Sequence, residues 1–277
     1  MYEIFENIEN KKEFAYMLGY IWADGTVNRN KYVVLEIVKD DADDIEHIIK
    51  KIFSYKRSER KRNGRKPQST FFINDKEFAE FLIENGKYPN TTETHGKILN
   101  WIGKDYRIYF LRGLIDGDGC FYSGPANKKW KNNTIHFTIC SSYNQDWKGL
   151  IDYCNEFNIK LNPMQKIRKN GSKWSFVRLS NFFEIESLVN ILYYEKDEIW
   201  LKRKFDKIMF AINEHKKNTK LSAERRKKYS ITYSNGTKVI VNNLRKFAKD
   251  NNFCYECLNR AANKTGKYKN IINIKKL

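Results

Sequence analysis

A chain of 277 residues with 41% hydrophobic and 15% aromatic content is too apolar for general disorder, and its length accommodates two or three domains with ordinary cores. The formal net charge of +19 fits a polyanionic partner, whose binding would weaken steeply with salt. No apolar run reaches the roughly 20 residues that cross a bilayer, and five cysteines, an odd number, argue against a disulfide framework.

In chain order, the opening Met1-Tyr-Glu-Ile-Phe-Glu is acidic and unlike a secretory or organellar leader, so the expected location is intracellular. The first structured element is an apolar, helix-like run, Met17-Leu-Gly-Tyr-Ile-Trp-Ala-Asp24-Gly25. Gly19 and Ala23 lie four residues apart and so share one helix face. A turn at Asn28-Arg29-Asn30 and a strand over 31–38 follow, with Val33, Leu35 and Ile37 alternating onto one face. Next come an amphipathic helix over 40–53, a basic hairpin Arg57-Ser-Glu-Arg60-Lys61-Arg62-Asn-Gly-Arg65-Lys66 and a helix over 76–85.

The same order then returns. Leu111-Arg-Gly-Leu-Ile-Asp-Gly-Asp118-Gly119 places Gly113 and Gly117 four apart. A strand over 134–140 carries Ile135, Phe137 and Ile139, followed by a helix within 141–157, a basic hairpin from Lys166 through Asn170-Gly171 to Lys173, and a helix over 182–193. Each unit reads α-β-β-α-β-β-α, and a repeat of this kind fixes the architecture. The fold class is therefore α+β: two pseudo-symmetric αββαββα repeats, residues 1–97 and 98–218, forming a saddle of antiparallel sheets.

Residues 219–277 form a third unit. A cationic linker through Arg225-Arg226-Lys227-Lys228 leads to a hairpin over 229–241 turning at Asn235-Gly236. Two short helical patterns follow, the first capped by Asn242 or Asn243 and the second spanning 255–262, in a helix-turn-helix-like arrangement with a basic flank. Cys254-x-x-Cys257 has no second ligand pair downstream, so both read as core thiols rather than a zinc site.

Glycine in a helix interior costs about 1 kcal/mol relative to alanine, so the small-residue faces of the two motif segments require a reason. Close packing of one segment against the other supplies it. Gly25 and Gly119 are expected to stop the helices in the left-handed conformation common past a helix end. Parallel packing would bring Asp24 and Asp118 to one end of the interface, where two charges about 5 Å apart repel by roughly 3 kcal/mol at an effective dielectric near 20. A divalent cation relieves that repulsion, and Mg²⁺ accepts one or two carboxylates while filling its shell with water and phosphate oxygens.

The two segments resemble the paired signatures of the LAGLIDADG homing endonuclease family. The second copy matches closely; the first departs at Met17, Tyr20 and Trp22 but keeps Gly19, Ala23, Asp24 and Gly25. The resemblance spans residues 13–212 and implies a monomeric, intron-encoded or free-standing hydrolase that cuts both strands of a long double-stranded DNA site, leaving short 3′ overhangs. It implies two or three Mg²⁺ ions at the helix interface, held by Asp24 and Asp118 with the carbonyls of Ala23 and Gly117, and basic groups near the scissile phosphates, for which Lys202, Lys204 and Lys97 are the candidates. Sheet residues facing the major groove would be Arg60, Arg62, Arg65, Gln68, Lys166, Arg168, Lys173 and Arg178. The C-terminal unit is similar to modular DNA-binding units appended to such nucleases.

Three rivals remain at this level. An intron RNA maturase would use the same scaffold, as would a non-cleaving DNA-binding protein; retention of both aspartates favours cleavage. An intein is disfavoured because the chain opens almost directly on the first motif. The cell compartment follows the host: the cytoplasm of a bacterial or phage-infected cell, or an organelle matrix.

Overall fold

The structure, a computed structural model, describes residues 8–28, 32–61, 64, 66–87, 98–125, 133–193, 197–224, 228–263 and 267–276. Arg62, Arg65, Lys97 and most of the Asn28-Arg29-Asn30 turn lie outside them.

The first repeat runs α1 (Lys11–Asp24), β1 (Gly25–Val27), β2 (Val33–Val38), α2 (Lys39–Ile49), β3 (Tyr55–Arg60), β4 (Gln68–Ile73) and α3 (Lys76–Glu84). The second, after a short 3-10 turn at Lys104–Tyr106, runs α4 (Arg107–Asp118), β5 (Gly119–Pro125), β6 (Asn133–Ser141), α5 (Lys148–Asn155), β7 (Asn162–Ile167), β8 (Lys173–Leu179) and α6 (Phe182–Leu192). Each repeat builds a four-stranded antiparallel sheet, in the order β1-β2-β4-β3 and β5-β6-β8-β7. The α+β architecture is the one the repeat predicts.

Alternation along the strands decides which side meets the helices. Val33, Leu35 and Ile37 are buried, as are Ile135, Phe137 and Ile139, and all six join one core. That core is continuous across both repeats, so they form a single compact unit, residues 1–215. Every residue of α1 from Phe14 to Trp22 is buried, and every residue of α4 from Tyr109 to Asp116. A helix buried all round lies inside the fold rather than on it; α1 and α4 pack on each other and on their sheets. Asp75 and Asn181 cap α3 and α6, accepting the amides of Phe78 and Phe183 at 2.9 Å each.

At Gly25 and Gly119 the expectation was wrong. Their φ, ψ values are −75°, 150° and −74°, 140°, extended rather than left-handed, because each helix passes directly into a strand. Glycine is required there by space: a Cβ would stand 2.8 Å from Ile21 Cγ2 at Gly25 and 2.8 Å from Ile115 Cγ2 at Gly119. Left-handed glycines appear instead in the hairpin turns, with φ of 74° at Gly64, 80° at Gly171 and 83° at Gly236.

Helix α7 (Lys202–Glu224) contains the division between the two compact units, which falls after His215. The second unit, residues 216–277, has its own core, built by β9 (Tyr229–Tyr233), β10 (Lys238–Val241), α8 (Leu244–Asp250), α9 (Tyr255–Asn263) and β11 (Ile271–Lys276). Asn243 caps α8 by accepting the Lys246 amide at 3.0 Å. The sheet has three strands, in the order β10-β9-β11, where the sequence promised a hairpin alone. Ile271 and Ile274 of β11 are among the buried residues of this core. The thiols also depart from expectation: Cys254 is exposed and Cys257 half-buried, because the apolar side of α9 is taken by Leu258 and Ala261.

Candidate active site at the paired motif helices

The small-residue faces of α1 and α4 are in main-chain contact. A Cβ on Gly19 would lie 2.8 Å from the carbonyl carbon of Phe110 and 2.9 Å from the Leu114 nitrogen; on Gly113 it would lie 2.8 Å from the Tyr20 nitrogen and 2.9 Å from the carbonyl carbon of Tyr16. A Cβ on Gly117 would strike the Ala23 methyl and stand 3.5 Å from Asp24 Oδ2. The seam therefore brings Asp24 beside the residue preceding Asp118.

Both carboxylates keep an edge in solvent while their inner edges face dense protein. Burial raises Asp24 above the usual carboxylate range, opposed by Lys204 and Lys87. Asp118 is pushed up to about 6 by burial and then by the charge of Asp24. Each acid is thus harder to ionise than a free aspartate.

Two ammonium groups flank the acids. Lys204 donates to the carbonyls of Ile115 at 3.2 Å, Gly117 at 2.9 Å and Gly119 at 3.1 Å, at the end of α4, where the Ile115 carbonyl also accepts the Gly119 amide. Lys87 is 7% exposed and donates to the Trp22 carbonyl at 2.7 Å. Burial lowers both amines, Lys87 to about 8. Sequence reasoning missed Lys87. Its local signal is faint: an Asn-Gly-Lys that ends α3, with Gly86 at φ 91° turning the chain back toward α1.

Of the other candidates, Lys202 is exposed and lines a cavity of about 400 Å³ with Asp43, Asp44 and Asp206. It stands two residues from Lys204, which on a helix is the opposite side. The Gly117 carbonyl is occupied by Lys204, whereas Asp24 and Asp118 hold their place at the seam. Asp116, which the sequence left without a role, is 1% exposed; its Oδ2 accepts the Tyr16 hydroxyl and the Leu201 amide at 2.8 Å each. Burial pushes Asp116 to about 6, the Leu201 amide partly opposing.

Among the described residues no group of three or more His, Cys, Asp or Glu side chains is placed to hold a metal. At this seam the described residues thus offer two carboxylates and no cage. That donor set fits Mg²⁺, which keeps several waters and completes its shell with phosphate oxygens, and does not fit structural zinc.

The sheet faces turned away from the helices carry most of the candidate nucleic-acid contacts. Arg60 pairs with Gln68 across β3 and β4 on that face, next to Ser58–Thr70 and Lys56–Phe72. In the second sheet Lys166, Met164 and Asn162 lie opposite Trp174, Phe176 and Arg178. Lys166 sits 5.3 Å over the Phe176 ring and Arg168 5.4 Å over Trp174, so both cations are stacked in place. Lys173 pairs with Ile167 and turns to the other face, over Tyr143.

The architecture is the one the LAGLIDADG resemblance implies: two αββαββα repeats joined through glycine-seamed helices whose terminal acids meet. No family model and no curated protein matches the sequence. Among solved structures, the chain is similar to the homing endonuclease I-WcaI bound to its DNA recognition sequence (17% identity, 73% of this chain and 86% of that one, TM-score 0.48). It is also similar to the LAGLIDADG meganuclease I-AabMI bound to uncleaved DNA (13%, 75% and 91%, 0.48). A third likeness is to the LAGLIDADG homing endonuclease I-LtrWI bound to target DNA (15%, 76% and 92%, 0.49). The chain's own motif helices and paired acids, not these likenesses, carry the functional reading.

Proposed function

We propose that this chain is a site-specific, Mg²⁺-dependent DNA endonuclease of homing type that acts as a monomer. The observation that carries the reading is the pair Asp24 and Asp118, delivered to one end of a main-chain helix seam with the buried Lys87 and the half-buried Lys204 beside them. Divalent cations bound there would activate water and stabilise the charge that develops on the phosphate and the leaving oxygen. Asp24 and Asp118 hold that charge in place and orient it. Lys87 and Lys204, one from each repeat, lie beside the acids and supply fixed positive charge near the two scissile phosphates. The outer faces of the sheets, through Arg60, Gln68, Lys166, Arg168 and Arg178, read and hold the duplex on both sides of the cut.

Residues 219–277 extend the contact with DNA. Their deletion is expected to weaken affinity and shorten the footprint while leaving cutting intact; a dead enzyme would assign the unit a structural role.

The central test is cleavage of a randomised duplex library with Mg²⁺, comparing the natural chain with Asp24→Asn and Asp118→Asn. Either substitution is expected to abolish double-strand cutting, with Ca²⁺ supporting binding only. Undiminished cutting in both variants would remove the assigned chemistry.

A further inference from the structure

The segment that carries Lys204 is held at four successive residues. Leu201 donates its amide to Asp116 Oδ2 at 2.8 Å, and Lys202 donates its amide to Asp44 Oδ2 at 2.9 Å. Arg203 grips Asp41 with Nε at 2.7 Å and Nη2 at 2.6 Å. Lys204 then reaches the three carbonyls at the end of α4. The Leu201 carbonyl accepts from Phe205, so these are the opening residues of α7. Amides at a helix start have no partner within the helix, and carboxylates are favoured beside them.

Two of the four holds come from the other repeat, since Asp41 and Asp44 lie on α2. Asp41 is 2% exposed, and a two-point contact from a planar guanidinium fixes direction as well as distance. Any rotation of the first turn of α7 that withdrew Lys204 would have to break that fork. Committed in this way, Arg203 is not a free cation for a phosphate. We propose that the Asp41–Arg203 pair is a positioning element, through which the first repeat holds the second repeat's Lys204 at the paired aspartates. Lys87 hydrogen-bonds Trp22 on α1 and serves as an internal reference.

The test is pulsed acylation of the whole protein with acetic anhydride, read lysine by lysine by peptide mass spectrometry. Asp41→Asn and Arg203→Gln are each expected to raise the Lys204 rate about tenfold, mid-range for coupling within one hydrogen-bond network, while Lys87 keeps its natural rate. An unchanged Lys204 rate in both variants, or a parallel rise at Lys87, overturns the proposal. The effect on cleavage rests on the endonuclease reading: with a duplex recovered from the cleaved library, both variants should lower kcat and leave KM unaltered. Unchanged kcat with a freed Lys204 overturns the catalytic value of the position. A freed Lys204 in a chain that cuts no duplex keeps the positioning and sinks the nuclease.

Discussion

Gly113→Ala is expected to destabilise the protein by about 2 kcal/mol, although alanine is the better helix former. The new methyl would stand 2.8 Å from the Tyr20 nitrogen and 2.9 Å from the Tyr16 carbonyl carbon, nearer still to the Tyr16 oxygen, where ordinary contact begins at 3.4 Å. These atoms are main chain in a buried helix and cannot rotate aside, so the helices must part. Overpacking costs about 1–3 kcal/mol, and a clash against backbone belongs at the upper end. Alanine returns about 1 kcal/mol of helix propensity. Urea unfolding should show a lower midpoint at constant slope. Gly103→Ala is the control, since its methyl would meet the Tyr106 ring at 3.5 Å, and should stay within about 0.5 kcal/mol of the natural chain. Equal stability of the two variants would refute the seam.

Asp116 and Asp118 are both held at about 6, above the 3.8 of a free aspartate. The metal-free fold therefore binds their protons more tightly than the unfolded chain does, and the stability they contribute is full below about 4 and lost as pH rises through about 6. Melting curves of the metal-free protein minus those of Asp118→Asn should show this loss, and a pH-independent difference would contradict it. Asp24→Asn should raise the metal-free Tm by relieving repulsion and abolish the Mg²⁺-induced rise in Tm; retention of that rise would place the ions elsewhere. Arg112, 1% exposed, donates to Asp197 at 2.7 Å and to the carbonyls of Leu192 and Ile199. Arg112→Met strands those acceptors and is expected to cost about 3–5 kcal/mol by denaturant titration; a near-neutral result would mean that water reaches them.

The repeat, the strand faces and the approach of Asp24 to Asp118 were legible because each has a short-range signature: glycine spacing, alternation, an acid at a helix end. Lys87 was not, because its role depends on a turn at Gly86 that carries it back to a helix 65 residues earlier, and no local pattern records that distance. Lys202 looked equivalent to Lys204 as sequence; only the start of α7 separates the side that meets Asp24 from the side that meets Asp44. Strand β11 escaped because a bulge between Ile271 and Asn273 breaks its alternation. The grip of Asp41 on Arg203 joins residues 162 apart and lies beyond any window of sequence.

Where glycine meets carbonyl there is no χ angle to adjust. The backbone spacing of the two acids is set by peptide units, whereas the amines beside them are held by side-chain hydrogen bonds. Side chains around the acids can therefore be exchanged without disturbing the spacing that the two backbones impose.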